Sequence, residues 1–208
     1  MNYKLSIDAS RDTIENTFKR RFRFPNAYRT YKTIDGTKET TLPIITSEKQ
    51  QDILLGIWGL LPDKYENDWK TFQKSLNTLF VNVIDLDTQS LFKDSYSKRR
   101  CLILVTGVYV TYLQEGELQT VLIQDKDRKP FSLAGVYNVT NDGFITCAII
   151  NTKEKESLVT NLPLPLKMPL IIKEEQRSIW LDATSVIENI KAITNQKNEF
   201  SHYTLKAS

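Results

Sequence analysis

Hydrophobic residues recur at helical spacing in three segments of the first half of the chain. In the first segment Ile14, Phe18 and Phe22 follow at intervals of four, and Ser10 precedes them as a helix-capping residue. Amphipathic helices are predicted over residues 10 to 22, 67 to 80 and 87 to 96. The apolar stripe on each helix is expected to face the protein core.

From Arg100 onward the pattern changes to short apolar or alternating runs that are separated by turn residues. Such runs are typical of β-strands, which are predicted over residues 102 to 113, 118 to 124, 131 to 139 and 144 to 150. Turns at residues 115–116, 125–129 and 141–143 would join them into an antiparallel meander.

Three further elements are expected after the meander: a buried strand at 168 to 172, helical segments over 174 to 191, and a last strand at 202 to 205. The sum predicts an α+β fold over residues 1–208, a single domain with a curved, barrel-like, mostly antiparallel sheet flanked by several helices.

Composition fits this picture of one globular domain. The chain has 208 residues, of which 40% are hydrophobic and 25% are charged. No stretch approaches the ~20 apolar residues of a membrane-spanning helix, and the charged first thirty residues do not resemble a signal peptide. We therefore expect a cytoplasmic protein, monomeric and not associated with a membrane.

The few cysteine and histidine residues do not predict a metal site. Cys101 and Cys147 both lie in apolar runs, which favours buried thiols, and His202 is the one histidine. Because these residues are far apart in sequence, they lack the spacing of zinc ligands. We expect neither a metal nor a cofactor.

Basic residues cluster at 19–23, 98–100 and 126–129, although the formal net charge is only +3. These runs are dense enough to contact phosphates, but runs of this kind are more often solvated helix ends and turns, which is the interpretation we favour. The charge permits a nucleic-acid partner without requiring one.

Six short blocks follow one another along the chain in an order that resembles one protein family. They are Trp58-Gly59-Leu60-Leu61-Pro62, Arg99-Arg100-Cys101-Leu102-Ile103, Gly107-Val108-Tyr109, Phe131-Ser132-Leu133-Ala134-Gly135-Val136-Tyr137, Lys167-Met168-Pro169-Leu170-Ile171 and Tyr203-Thr204-Leu205. They resemble the W-G-L-I-P, R-R-C-L-I/V, D-G-F-Y/F, F-S-L-A-G-I/L-Y/W, R-M-P-V-I and closing Y-T/P-V motifs of the SRAP family, the SOS response-associated peptidases. This family includes proteins that crosslink to abasic sites in single-stranded DNA, and the resemblance implies its fold and an association with DNA repair.

The resemblance also implies a catalytic site, at which this chain departs from the family. The family nucleophile is a cysteine at position 2, whose amine and thiol together condense with the aldehyde of the abasic sugar. Here Asn2 occupies that position, and its amide is neither nucleophilic nor ionisable near neutral pH. We expect Met1 to remain attached.

The other catalytic positions are replaced as well. Alignment on the Gly107-Val108-Tyr109 block places the family glutamate on Val110, and the family histidine falls on Leu162 or Pro165. None of these side chains can transfer a proton. The family's phosphate-contacting arginine falls on Ile84, so the resemblance implies a natural member that has lost its catalytic residues.

Six residues remain candidates for contact with single-stranded DNA: Lys4, Trp58, Asn82, Arg99, Arg100 and Lys167. Lys4 stands in place of a family arginine. Trp58 could stack on a base or fill the core, and Asn82 could bind a ligand or close a turn. Both alternatives stay open at this point.

Two functions are consistent with these residues. The first is a catalytically inactive SRAP protein that retains weak, non-covalent binding of single-stranded DNA. The second is an interaction or structural protein whose former active groove, lined by Val110, Leu162 and Ile84, takes a peptide or a small apolar ligand. A third function, an active enzyme with new catalytic residues, finds no supporting arrangement of carboxylates, serines or histidine.

Overall fold

Two β-sheets and five α-helices make up the described part of the fold. The computed structural model describes residues 4–63, 65–114, 116–152, 168–199 and 202–207, so the predictions for Asn2, Leu162, Pro165 and Lys167 lie outside the described residues. The strands are β1 (Lys4–Ile7), β2 (Arg21–Phe22), β3 (Tyr31–Asp35), β4 (Thr41–Thr46), β5 (Asp52–Trp58), β6 (Phe80–Asn82), β7 (Arg100–Val105), β8 (Gly107–Gln114), β9 (Glu117–Asp125), β10 (Phe131–Val139), β11 (Ile145–Asn151), β12 (Ile171–Ile172) and β13 (Tyr203–Ala207). The helices are α1 (Arg11–Phe18), α2 (Trp69–Ser75), α3 (Ser90–Lys98), α4 (Arg177–Leu181) and α5 (Ile187–Thr194).

Five strands close into a barrel in the order β10, β7, β4, β5 and β11, and β11 pairs back with β10. The barrel is mixed because β11 runs parallel to β5, whereas its other pairings are antiparallel. Three short strands extend it: β12 on β10, β6 on β11 and β2 on β5. Both faces of β7 are buried, since a strand of a small closed barrel has core on one side and packed elements on the other.

The second sheet is open and wholly antiparallel, in the order β13, β9, β8, β1 and β3. The α+β class and the barrel-like sheet predicted from the sequence are therefore confirmed. The simple meander was wrong, because β9 pairs with β13 rather than with β10.

The run predicted as one strand over residues 102 to 113 is divided between the two sheets. The division falls at Thr106, whose backbone N–H donates to the carbonyl of Ser6, 2.8 Å away. The Thr106 hydroxyl accepts the backbone N–H of Asp8 at 2.8 Å. These bonds to β1 and the residue after it direct the chain out of the barrel and into the open sheet.

The first predicted helix is shorter than its apolar spacing suggested. It ends at Phe18 because Lys19 adopts a left-handed conformation with φ of 56°. Phe22 is buried as predicted, but it lies on strand β2, which pairs with β5, rather than on the helix. The Glu15 carboxylate holds the junction by accepting the Phe22 backbone N–H at 2.9 Å and the Arg21 guanidinium at 2.6 Å.

The second predicted helix also ends early. It covers Trp69–Ser75, after which Leu76 is extended and Phe80 begins β6. The third covers Ser90–Lys98, a few residues later than predicted. In the part of the chain that the structure describes, no helix is long and apolar enough to cross a membrane.

Candidate functional site

Val110, the residue that the motif alignment placed at the family glutamate, lies on β8 in the open sheet opposite Val121. Its side chain is buried, with 8% of its surface exposed. Its neighbour Thr111 shares a hydrogen bond of 2.8 Å with the Thr120 hydroxyl. An aliphatic side chain in this environment can neither accept nor donate a proton.

Lys4 begins β1, the strand that pairs with β8 through Leu5 and Val108, so it lies near the start of the same surface. Its side chain is exposed, and its partner across the strands is Asp35 of β3. Hydrogen bonds from Thr37, assisted by the positive charge of Lys4, hold the pKa of Asp35 below its usual value. Lys4 is thus an accessible cation whose charge is partly balanced by a neighbour.

Asn82 ends β6 at the edge of the barrel and pairs in parallel with Asn151 of β11. Its Nδ2 donates to the Asp85 carboxylate at 2.9 Å, which matches the turn interpretation. Its Oδ1 is closed off from solvent and has no hydrogen-bond partner among the described residues. An unsatisfied buried acceptor costs about 1–3 kcal/mol, so this atom calls for a specific explanation such as strain or a bound water or ion.

Ile84, the residue that the motif alignment placed at the family's phosphate-contacting arginine, lies two residues beyond Asn82 in a short 3-10 helix. It leaves 52% of its surface exposed. Ile84 therefore has an accessible place in the fold, but its aliphatic side chain cannot bind a phosphate as a cation would.

Trp58 is a core residue. None of its surface is exposed, and its indole Nε1–H donates to the Leu79 carbonyl at 2.9 Å. The ring packs edge-on against Phe80, with 5.6 Å between centroids. A DNA base cannot reach this side chain, so the structure contradicts the stacking interpretation and supports the core alternative.

Arg100 is a structural arginine. Its side chain is 1% exposed, and its guanidinium donates to four backbone carbonyls, those of Tyr96, Ser97, Trp180 and Asp182, at 2.7–2.9 Å. Burial lowers its pKa from the usual value, and the four acceptors compensate for the lost hydration. The prediction that Arg100 contacts DNA is wrong, because all of this hydrogen bonding is internal.

Arg99, the adjacent residue, is only partly buried and makes very different contacts. Its one side-chain hydrogen bond is a long one of 3.5 Å to the Ser95 hydroxyl, and its Nε–H has no acceptor among the described residues. Of the two adjacent arginines in the sequence motif, Arg100 is therefore bound inside the protein, whereas Arg99 has donors available for a ligand.

The basic run at 19–23 is largely occupied by local contacts. Arg20 donates to the backbone carbonyl of Gln50, Arg21 pairs with Glu15 at 2.6 Å, and Arg23 pairs with Asp52 at 3.2 Å. In the run at 126–129, Lys129 pairs with Asp127 at 3.1 Å. These contacts favour the helix-end and turn interpretation of both runs.

Neither cysteine offers a replacement nucleophile. Burial raises the pKa of Cys147 to about 12 and raises that of Cys101 well above its usual value. Both thiols stay protonated and inaccessible near neutral pH. His202 is exposed beside β13, and the described residues contain no group of three or more metal-ligating side chains.

Similar folds are known among solved structures. A protein from Bacteroides thetaiotaomicron superposes with a TM-score of 0.83 at 20% identity, covering 99% of this chain and 91% of that one. A protein from Bordetella bronchiseptica gives 0.77 at 12% identity, with 99% of each chain covered. A phage-related protein from the same organism gives 0.67 at 15%, with 99% and 93% covered. At these identities the likeness shows the fold alone.

Sequence comparison identifies the family. No curated protein sequence matches the chain. The model of the family described as SOS response associated peptidase (SRAP) matches residues 1–207, nearly the whole chain. The chain therefore belongs to the SRAP family.

Proposed function

We propose that this SRAP-family chain is catalytically inactive and binds single-stranded DNA non-covalently, as a cytoplasmic monomer. The observation that carries the inactivity is Val110, a buried aliphatic side chain at the position of the family's general base. Asn2 in place of the nucleophilic cysteine removes the thiol that would close a ring with an aldehyde. The two buried cysteines cannot substitute for it.

Binding of a strand is supported by cations that have few partners among the described residues. Arg99 makes one long side-chain hydrogen bond there, so most of its guanidinium donors are available. Lys4 adds an exposed cation. Trp58 and Arg100 are not part of the proposed interface, and Lys167 is included from the sequence alone.

Covalent chemistry is tested by incubating an abasic single-stranded oligonucleotide with the wild type and with the Asn2→Cys variant. An intact oligonucleotide of the same sequence is the control. We expect no covalent product with the wild type and little or none with Asn2→Cys, because Val110 leaves the new thiol without a base. Robust crosslinking by the wild type would overturn the proposed inactivity.

Non-covalent binding is tested by fluorescence anisotropy on the same two oligonucleotides over a range of salt concentrations. The affinity should fall as salt rises, because phosphate contacts release counterions. Lys4→Ala should reduce the salt slope by about one unit, whereas Lys129→Ala, which removes a cation already paired with Asp127, should change it less. Undetectable or salt-insensitive binding contradicts the proposal.

One observation favours the alternative, an interaction protein that binds a peptide or a small ligand in the former groove. Ile84 is an exposed aliphatic residue where the family has a cation. Ile84→Arg separates the two functions: it should tighten DNA binding if a strand passes Asn82, and it should weaken the binding of an apolar peptide at the same place.

A further inference from the structure

A cavity of about 340 Å³ lies between α2, α3 and β10, and we call it the α2–α3 cavity. Its apolar wall is formed by Phe72 of α2, by Leu76 directly after α2 and by Leu91 of α3. Its polar groups come from Asp94, Arg99 and Asn138. The volume lies at the small end of the range for ligand sites, and apolar walls with a few convergent polar groups are typical of them.

Asn138 is the most enclosed polar group of the cavity, with 5% of its surface exposed. Its Nδ2 donates to the Leu61 carbonyl at 2.9 Å, which fixes the amide orientation. The Asn138 Oδ1 accepts no hydrogen bond from the described residues, and it is not among the acceptors sealed from solvent. A held amide therefore presents an unused acceptor to the cavity.

Arg99 supplies unused donors to the same cavity. Although Asp63 and Asp94 also line it, no carboxylate among the described residues lies within 4.0 Å of the guanidinium. The Nε–H is buried without an acceptor, and the bond to Ser95 is long at 3.5 Å. Arg100, one residue away, shows how completely this fold can satisfy an arginine when the role is structural.

The cavity thus combines a donor fork, acceptors and apolar surface. Leu76 is 48% exposed in spite of its size, so part of the apolar wall lacks a covering group. A planar ring that carries acceptors on one edge and N–H donors on another would satisfy all three features. A second cavity, beside the β10–β11 turn, lacks this combination: it is lined by carboxylates of Glu39, Glu66, Asp68 and Asp142 and by no described cation.

We infer that the α2–α3 cavity binds a guanine base. An arginine fork matches the O6 and N7 acceptors of guanine, and carboxylate or amide oxygens accept its N1–H and N2–H groups. Adenine presents an amino group where guanine has O6, and thymine has no amino group to donate. The base can come from a free nucleotide or from an unpaired strand. Capture from a strand rests on the proposed function, the binding of single-stranded DNA.

The free-nucleotide arm uses the full-length protein with GMP, IMP, AMP and UMP. Each carries one phosphate on ribose, and uracil, like thymine, has no amino group, so differences in affinity report on the base. Titration followed by NMR should show GMP binding about tenfold more tightly than AMP, with IMP between them because it lacks the N2 amino group. The Arg99 Nε–H signal should shift with GMP.

Variants at Arg99 test whether the fork carries the preference. Arg99→Gln should reduce the preference for GMP to within about twofold, and Arg99→Lys, which keeps the charge but loses the fork, should restore little of it. Arg23→Gln, at an arginine in an exposed ion pair with Asp52, is the matched control and should leave the preference intact. Equal affinity for the four nucleotides, or a preference that survives Arg99→Gln, would overturn the inference.

The strand arm compares an all-thymine oligonucleotide with one that carries a single central guanine, at one salt concentration. Tighter binding of the second supports capture of the base from a strand. Salt-sensitive binding with no gain from the guanine contradicts capture of the base from a strand and leaves the proposed DNA binding intact. A preference for GMP without any oligonucleotide binding contradicts the proposed function and leaves the cavity inference intact.

Discussion

Arg100 offers a sharp test of the distinction between structural and available cations, through the substitution Arg100→Met. Methionine keeps much of the apolar stem of the side chain and removes the guanidinium. The four carbonyls that the guanidinium now binds come from the end of α3 and from the end of α4, and both segments are held against β7 through it. The substitution removes the donor groups of Arg100 but leaves the four backbone carbonyls in place. The lost hydrogen bonds are therefore not compensated by a matching loss of acceptors.

The expected loss of unfolding free energy depends on which of the four hydrogen bonds are inaccessible to water. The bonds to the Trp180 and Tyr96 carbonyls are buried, and those to the Ser97 and Asp182 carbonyls are partly buried, so water can replace the second pair. Hydrogen bonds to charged groups contribute about 1.5–3 kcal/mol each, and the two buried bonds therefore give a loss of about 3–6 kcal/mol. That is a large fraction of the total stability of an ordinary domain.

The assay is urea unfolding of the wild type, Arg100→Met and the matched control Arg99→Met. The control removes the guanidinium of Arg99, which makes one hydrogen bond of 3.5 Å among the described residues. Arg99→Met should therefore lower the free energy of unfolding by less than about 1 kcal/mol. Arg100→Lys should fall between them and remains measurable if Arg100→Met does not fold. A loss below about 1 kcal/mol in Arg100→Met would refute the reasoning.

Three further predictions follow from buried groups. The Phe22 backbone N–H and the Arg21 guanidinium lower the pKa of Glu15 from its usual 4.5. The ionised Glu15 carboxylate therefore stabilises the fold above pH 4.5, and this stabilisation is lost as the pH falls. The difference in unfolding free energy between the wild type and Glu15→Gln should shrink from about pH 6 to about pH 3. Cys101 and Cys147 should not react with a thiol reagent in the native protein, and both should react in denaturant; labelling of the native protein would contradict their burial. Trp58→Phe should lower the unfolding free energy by about 2 kcal/mol or more while leaving the DNA affinity of the folded protein unchanged, and a selective loss of affinity would restore the stacking role.

Local patterns predicted the elements that turn residues separate clearly. The strand over 131 to 139 was predicted with its observed bounds because a turn precedes it and Asn141-Asp142-Gly143 follows it. The barrel strands of the first half were not predicted, since β4 contains Pro43 and β5 contains Gly56, residues that ordinarily argue against a central strand. Their place between β7 and β11 depends on pairings between segments far apart in sequence, which no local window contains.

The spacing of hydrophobic residues also cannot show whether a buried residue belongs to a helix or to a strand. Phe22 continues the helical stripe of Ile14 and Phe18, yet it is buried from a strand that begins after the left-handed turn at Lys19. At the candidate site the same limit applies to Arg99 and Arg100, which are adjacent in sequence and opposite in role. Arg99 follows the last residue of α3 and Arg100 begins β7, but only the arrival of α4 beside β7 encloses the Arg100 side chain.

Packing explains the family motifs that this chain retains, and such motifs would persist whether or not the family chemistry is kept. A Cβ atom at Gly135 would lie 2.7 Å from the Ile103 side chain and 2.9 Å from the Cys101 sulfur, so the F-S-L-A-G block needs glycine for the barrel to close. Gly59, after Trp58, has φ of 115°, a conformation that a side chain would strain. The exposed position 84, by contrast, carries no such constraint, because Ile84 supports little of the core. Selection for the fold alone would therefore preserve the blocks by which the family is identified and leave the arginine position free to change, so the match over residues 1–207 is evidence of the barrel rather than of the reaction.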